Sequence, residues 1–181
     1  MSTTAPANVP LTVVSTTSNQ FMFAQIGIGK NILSQQPAPN SGPYYWFVVI
    51  NRETLKVEFN QVQQQPNVVP NIGALNTDAH ILVVATLGVG LNNQPQGALF
   101  TFLDENGAGR ELRRIDQVAV QFNCGSLGTF GYALAGVLGN LNQPAFEASA
   151  LLSNGPILTL QLVPHEINGK VLYTPSQIDN A

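Results

Sequence analysis

Short apolar runs, separated by residues that favour turns, are the dominant pattern of this sequence and predict β-strands. The run Tyr44–Ile50 is apolar at every position, as in a strand covered on both faces, so we expect it to be central in a sheet. His80–Leu87 is mostly apolar and predicts a second buried strand. Between the two, Leu55, Val57 and Phe59 alternate with polar residues, which predicts a half-buried hairpin partner.

One segment has the periodicity of a helix. Asn92 or Asn93 can cap this helix, and Pro95 suits its first position. Gly107 can end it. The apolar residues at helical spacing are Leu99, Phe100, Phe102 and Leu103. Residues 104–116 carry seven of the 17 charged side chains, so the helix and its sequel are expected on the solvated side. Further strands are predicted over 11–15, 21–28, 117–122, 129–138, 145–152 and 157–163.

The length of 181 residues suits one domain with tails. Because strands outnumber the predicted helix, the expected fold class is α+β, mainly β. We expect a compact antiparallel β-sandwich-like domain of β-β-α type with one or two short helices. Residues 1–20 are assigned to an N-terminal arm, 21–174 to a single β-rich domain and 175–181 to a C-terminal tail. Residues 35–43 contain three prolines and predict a surface loop.

Neutral amides take the place of charges on the expected surface. Charged residues make up 9% of the chain, and 18 Asn plus 15 Gln outnumber the 17 charged side chains. A net charge of -3 gives no field that would hold phosphates, which disfavours nucleic acid and anionic membranes as partners. No apolar run is long enough to span a bilayer, and the first twenty residues lack the pattern of a secretory signal peptide.

Motifs for catalysis are incomplete. Gly27–Asn31 looks like part of a phosphate loop but lacks the earlier glycine and the hydroxyl residue after the lysine, so we interpret it as a strand-end turn. Asp78, His80 and Ser126 supply the residue types of a hydrolase triad, yet the serine has no nucleophile-elbow sequence around it. His80 and His165 have no second ligand at metal-binding spacing.

Two other reactive groups receive structural interpretations. The pairs Glu53 with Glu58 and Asp104 with Glu105 could serve glycoside hydrolysis, but acids in charged turns are usually solvated. The single cysteine, Cys124, excludes an internal disulfide and is interpreted as a small buried apolar residue. We therefore assign no catalytic residue, no metal ligand and no cofactor.

An aromatic cluster with neighbouring amides is the one candidate binding site. Tyr44, Tyr45 and Trp46 offer flat apolar faces, and Asn92 and Asn93 offer neutral hydrogen bonds, a combination suited to sugars. Packing inside a strand is the favoured explanation of the aromatic residues. A subunit interface is a third, because aromatic residues are enriched there.

Several strings together resemble the interleukin-like EMT inducer (ILEI/PANDER-like) family over about residues 44–140. They are 47–51 with Thr54, Val57 and Phe59, then 81–86, 91–93 and 132–139. The resemblance implies a compact β-β-α sandwich with non-enzymatic roles, which include carbohydrate binding in some members and signalling in others. The disulfides of the animal family are absent here, and residues 117–129 look like an insertion. No binding residue is carried over, since the matched strings are scaffold positions.

Composition and resemblance lead to one functional expectation with two alternatives. We expect a non-enzymatic structural or binding subunit of a multi-chain extracellular particle, such as a phage tail or capsid component, that reaches the particle without a signal peptide. Its partners would be other protein subunits, including copies of itself joined by edge strands. A free carbohydrate-binding module that recognises a cell-surface glycan is the first alternative. A hydrolase using Asp78, His80 and Ser126 is the second.

Overall fold

Two antiparallel sheets packed face to face, with two short helices on the outer face of the second sheet, form the body of the protein. The computed structural model describes residues 6–17, 23–36, 44–140, 143–151 and 155–178. The strands are β1 (Val9–Val14), β2 (Ala24–Ile28), β3 (Asn31–Gln35), β4 (Tyr44–Asn51), β5 (Val57–Gln63), β6 (His80–Leu87), β7 (Val89–Gly90), β8 (Thr129–Val137), β9 (Phe146–Leu151), β10 (Ile157–Ile167) and β11 (Lys170–Gln177). The helices are α1 (Gly97–Glu105) and α2 (Arg110–Asp116). The predicted α+β, mainly β class is confirmed.

The first sheet has the strand order β11-β10-β1-β2-β3, and the second has the order β5-β4-β6-β8, with β9 on β8. Strand β7 also pairs with β8, beyond Gly88, whose φ of 58° marks the break from β6. Strand β4 lies between β5 and β6, as its apolar run predicts. The hairpin pairing of β5 with β4 is likewise confirmed.

The central strands β4, β6 and β8 of the second sheet are buried on both faces, and this explains their long apolar runs. Alternate residues of β4, such as Phe47, face α1 and α2, while those between, such as Val48, face the first sheet. Strand β6 is buried at every position. Because each of these strands contributes side chains to two apolar cores, neither face of the strand requires polar residues.

The strand predicted over 117–122 is wrong. Gln117–Gln121 forms a π-helical turn that continues α2. Leu112, Ile115 and Ala119 are buried at intervals of three and four residues, which is the spacing of a helix. Val118 packs against the core, whereas Val120, two residues later, is 59% exposed, so the two valines lie on different faces, unlike residues two apart in a strand.

The ends of the described chain are built into the first sheet. Strand β1, within the segment assigned to the arm, lies between β2 and β10, and Pro175–Gln177, within the assigned tail, complete β11. Thr16 then crosses to the second sheet, where its N–H donates to the Thr86 carbonyl at 3.1 Å. Parts of the predicted arm, of the 35–43 loop, of the 21–28 and 145–152 strands and of the tail lie outside the described residues.

Candidate binding surface

An open groove of about 730 Å³ lies between the start of α1 and the π-helical turn. Four neutral amides line it, together with Thr101, Ser126 and the ring of Phe100. The amides are Asn92, Gln94, Gln96 and Asn123. Asp116 is the one ionisable side chain in its lining. The groove therefore presents hydrogen-bond donors and acceptors with almost no charge.

A short turn after β7 positions the amide side of this groove. Leu91 is buried, and its N–H donates to the Gly128 carbonyl at 2.9 Å, which ties the turn to the chain entering β8. The Tyr45 hydroxyl donates to the Asn93 carbonyl from the core side. Gln96 Nε2 donates to the Asn92 carbonyl at 3.1 Å. These contacts fix the backbone and leave the Asn92 side chain exposed.

Beside the groove, three large apolar side chains project from the π-helical turn and the loop that follows. Val120, Phe122 and Leu127 are 59%, 65% and 70% exposed, and we call them the apolar patch. Asn123 adopts a left-handed conformation with φ of 53°, and its N–H donates to the Val120 carbonyl at 3.2 Å. Within the described ranges, no element packs over these three side chains enough to bury them.

The carboxylate of Glu147 holds the helix that leads into this turn. Its Oε2 accepts the backbone N–H groups of Gly109 at 2.9 Å and Glu111 at 3.2 Å, and its Oε1 accepts that of Leu112 at 3.3 Å. The Tyr132 hydroxyl donates to the same carboxylate at 2.5 Å. Burial and the Glu147 carboxylate raise the pKa of Tyr132 well above its ordinary value. A residue on β9 thus caps the N-terminus of α2. Because α2 continues into the π-helical turn, this cap also supports the residues that the turn exposes.

The predicted aromatic site is not assembled at the surface. Tyr45 is 1% exposed and Trp46 is fully buried, so neither ring offers a face to a sugar. Burial raises the pKa of Tyr45, and Trp46 Nε1 donates to Asn60 Oδ1 at 2.7 Å. Tyr44 is half-buried and packs beside the core between the sheets. Of the predicted binding residues, Asn92 alone lines the groove, while Asn93 contributes its backbone carbonyl to the contact with Tyr45.

The groups of the hydrolase alternative lie apart. The two ring nitrogens of His80 lie 3.0 Å from Thr77 Oγ1 and 2.9 Å from Glu58 Oε2. His80 begins β6, whereas Ser126 lines the groove beyond the other end of that strand. The backbone carbonyl of Asp78, not its carboxylate, accepts a hydrogen bond from the Arg52 guanidinium at 2.6 Å. No triad geometry is present among these three residues.

The remaining motifs have structural positions in the described part of the chain. Gly29, with φ of 59°, turns β2 into β3, which confirms the strand-end interpretation of Gly27–Asn31. Glu53 pairs with Lys170 at 3.1 Å and Asp104 with Arg113 at 2.5 Å. Within the described ranges, no three His, Cys, Asp or Glu side chains come together as a metal site. Among those residues, no helix is long and apolar enough to cross a membrane.

Comparison with known proteins gives no relative: no family model and no curated protein matches the sequence. The resemblance to the interleukin-like EMT inducer family therefore stays a prediction.

Proposed function

We propose that this chain is a non-enzymatic structural subunit that assembles with copies of itself and with other chains through the apolar patch and the adjoining groove. The observation that carries the proposal is the exposure of Val120, Phe122 and Leu127 within eight residues of one another. Large apolar side chains grouped at a surface mark interaction sites, whereas isolated ones are ordinary. The amides beside them can satisfy the polar groups of a partner without desolvating a charge.

The strength of such a contact can be bounded from the exposed fractions. Full burial of an apolar side chain of this size contributes about 1.5–3 kcal/mol, so burying the exposed part of all three contributes about 3–6 kcal/mol. Association of two proteins costs at least about 4 kcal/mol in lost freedom. One patch therefore gives a weak contact, and a stable structure requires many copies or further contacts.

The setting we propose is an extracellular particle, such as a phage tail or capsid. The chain has 33 amide side chains against 17 charged ones. This composition supports the proposal, because neutral hydrogen-bonding surfaces associate without strong dependence on salt. The predicted resemblance to a family with non-enzymatic roles agrees with it.

Sedimentation velocity of the wild type and a triple variant tests the proposal. The variant combines Val120→Thr, Phe122→Gln and Leu127→Gln. The wild type should form oligomers whose fraction rises with concentration, and the variant should remain monomeric. The matched control is Ile32→Thr, which changes an equally exposed residue on β3. Oligomers that persist in the triple variant, or a wild type that is monomeric throughout, would refute the proposal.

Binding of a neutral glycan in the groove is the second candidate function. Four amides with the ring of Phe100 form a neutral hydrogen-bonding and apolar set, which suits sugar hydroxyls and ring faces. A glycan array with the wild type and the double variant Gln96→Ala/Asn123→Ala tests it. Saturable binding lost in the variant supports a lectin-like role, and an array without signal rejects it. Trp46→Ala is unsuitable for this test, because Trp46 belongs to the core.

A further inference from the structure

A second groove, of about 750 Å³, lies between strand β3 and the turn that leads from β4 into β5. Val9, Ile28, Leu33 and Leu55 give it an apolar lining. It is at the end of the second sheet where Asn51 pairs with His80, whereas the apolar patch follows the opposite end. The two surfaces are therefore separate.

Strand β3 is the outermost strand of the first sheet, and no described residue pairs with its outer edge. Such an edge presents unpaired backbone N–H and C=O groups that can accept another strand. The five residues of β3 contain no charge and no proline. By contrast, the opposite edge strand, β11, carries Lys170 and Pro175, which are residues that oppose strand addition.

The positive charges at this groove determine which kind of partner strand it would attract. Lys30 and Lys56 both line it and are exposed, and neither has a carboxylate partner among the described residues. They are two of the three lysines in the sequence; the third, Lys170, pairs with Glu53. A second copy docked in the same way would bring like charges together, whereas a segment bearing carboxylates would be attracted.

We propose that this groove binds an extended acidic segment of a partner chain, which adds to the first sheet as a strand beside β3. Apolar side chains on one face of the segment would lie against Leu33 and Leu55, and its carboxylates would pair with Lys30 and Lys56. Backbone hydrogen bonds to β3 would provide affinity, and the two lysines would provide specificity. This inference does not depend on the proposed function of the apolar patch.

A positional-scanning array of hexapeptides, incubated with the labelled full-length protein, tests the proposal. We expect Asp or Glu to be enriched at positions that flank β-branched or other apolar residues. The double variant Lys30→Gln/Lys56→Gln should weaken the best peptide about tenfold, because it removes two exposed charge pairs. Lys170→Gln is the matched control and should leave binding unchanged. Lys30→Arg/Lys56→Arg should restore it, since the charge is kept.

Strand addition is tested separately from charge attraction. N-methylation of alternate backbone amides in the best peptide should abolish binding in one of the two alternation phases, because one set of N–H groups faces β3. Equal binding in both phases would reject strand addition. The whole proposal is overturned if no hexapeptide binds, if acidic residues are not enriched, or if the double glutamine variant binds as the wild type does. Since both lysines are exposed, the unfolding midpoint of that variant should match the wild type and confirm that it is folded.

Discussion

Replacing Arg52 by methionine should destabilise the fold more than any change of a surface charge. The side chain is buried, and its guanidinium donates to the carbonyls of Tyr173 at 2.8 Å and Asp78 at 2.6 Å and to Thr174 Oγ1 at 2.7 Å. These partners lie on β11 of the first sheet and in the chain that enters β6 of the second. Arg52 is therefore a hydrogen-bonded link between the two sheets.

The expected magnitude follows from these contacts. Burial lowers the pKa of Arg52, and the nearby Asp78 carboxylate opposes that shift. Methionine keeps much of the volume but leaves three acceptors without their donor. Leaving a buried acceptor unsatisfied costs about 1–3 kcal/mol, so the loss of all three contacts should cost about 3–5 kcal/mol. A lysine has one donor group in place of the planar fork, and Arg52→Lys should lose about half as much.

Equilibrium unfolding in urea, followed by the fluorescence of the buried Trp46, measures this difference. Arg114→Met is the matched control, because Arg114 is half exposed and pairs with Glu111 at 3.2 Å; it should change stability by less than about 1 kcal/mol. If the free energy of unfolding of Arg52→Met lies within about 1 kcal/mol of the wild-type value, the guanidinium does not hold the two sheets together.

Three further predictions concern the support of the surface and the core. Glu147→Ala should lower the free energy of unfolding by about 2–4 kcal/mol, because the N–H groups of Gly109 and of two residues of α2, together with the Tyr132 hydroxyl, lose their acceptor. Urea unfolding measures this loss, and a value below about 1 kcal/mol would contradict the capping role. Gly107→Ala should lower the free energy of unfolding by about 1–3 kcal/mol in the same assay, because φ is 90° and the new Cβ would lie 2.6 Å from the Ala145 nitrogen. An unchanged free energy of unfolding would show that the site is not crowded. Tyr45 and Tyr132 have raised pKa values in the folded state, so the stability that they contribute is present below pH 10 and is lost as the pH rises above it. The loss is up to about 1.4 kcal/mol for each tyrosine and pH unit. The urea midpoint of the wild type should therefore fall more steeply from pH 9 to 11 than that of Tyr45→Phe, and parallel curves would contradict the raised pKa of Tyr45.

The sequence predicts strands β4 and β6 well because burial on both faces leaves few polar positions in a strand: Asn51 in β4, and His80 and Thr86 in β6. That same pattern indicates that Tyr45 and Trp46 are core residues, and it carries more weight than the chemical suitability of their rings for sugars. The local sequence does not predict the π-helical turn, since Val118 and Val120 are two residues apart, which is the spacing of one face of a strand. Its helical nature depends on contacts of Leu112 and Ile115 with the second sheet, which the local pattern does not contain.

The candidate surface was predictable in part. Asn92 was singled out as an amide near a helix start, and it lines the groove. The sequence does not indicate that Gln96 and Asn123 share this groove, because they are 27 residues apart and only the fold brings them together. The Glu147 cap is likewise a contact between residues more than 30 positions apart. Such pairings depend on the order of strands in the sheet, which apolar periodicity does not specify.

The salt dependence of self-association distinguishes a contact between neutral amides and apolar side chains, which we propose for this chain, from a contact between charges. Sedimentation equilibrium of the wild type from about 0.05 to about 1 M NaCl should give an association constant that is unchanged or rises slightly, because no ion pairs are screened. An association constant that falls steeply with salt, or a protein that stays monomeric at every concentration, would contradict the account.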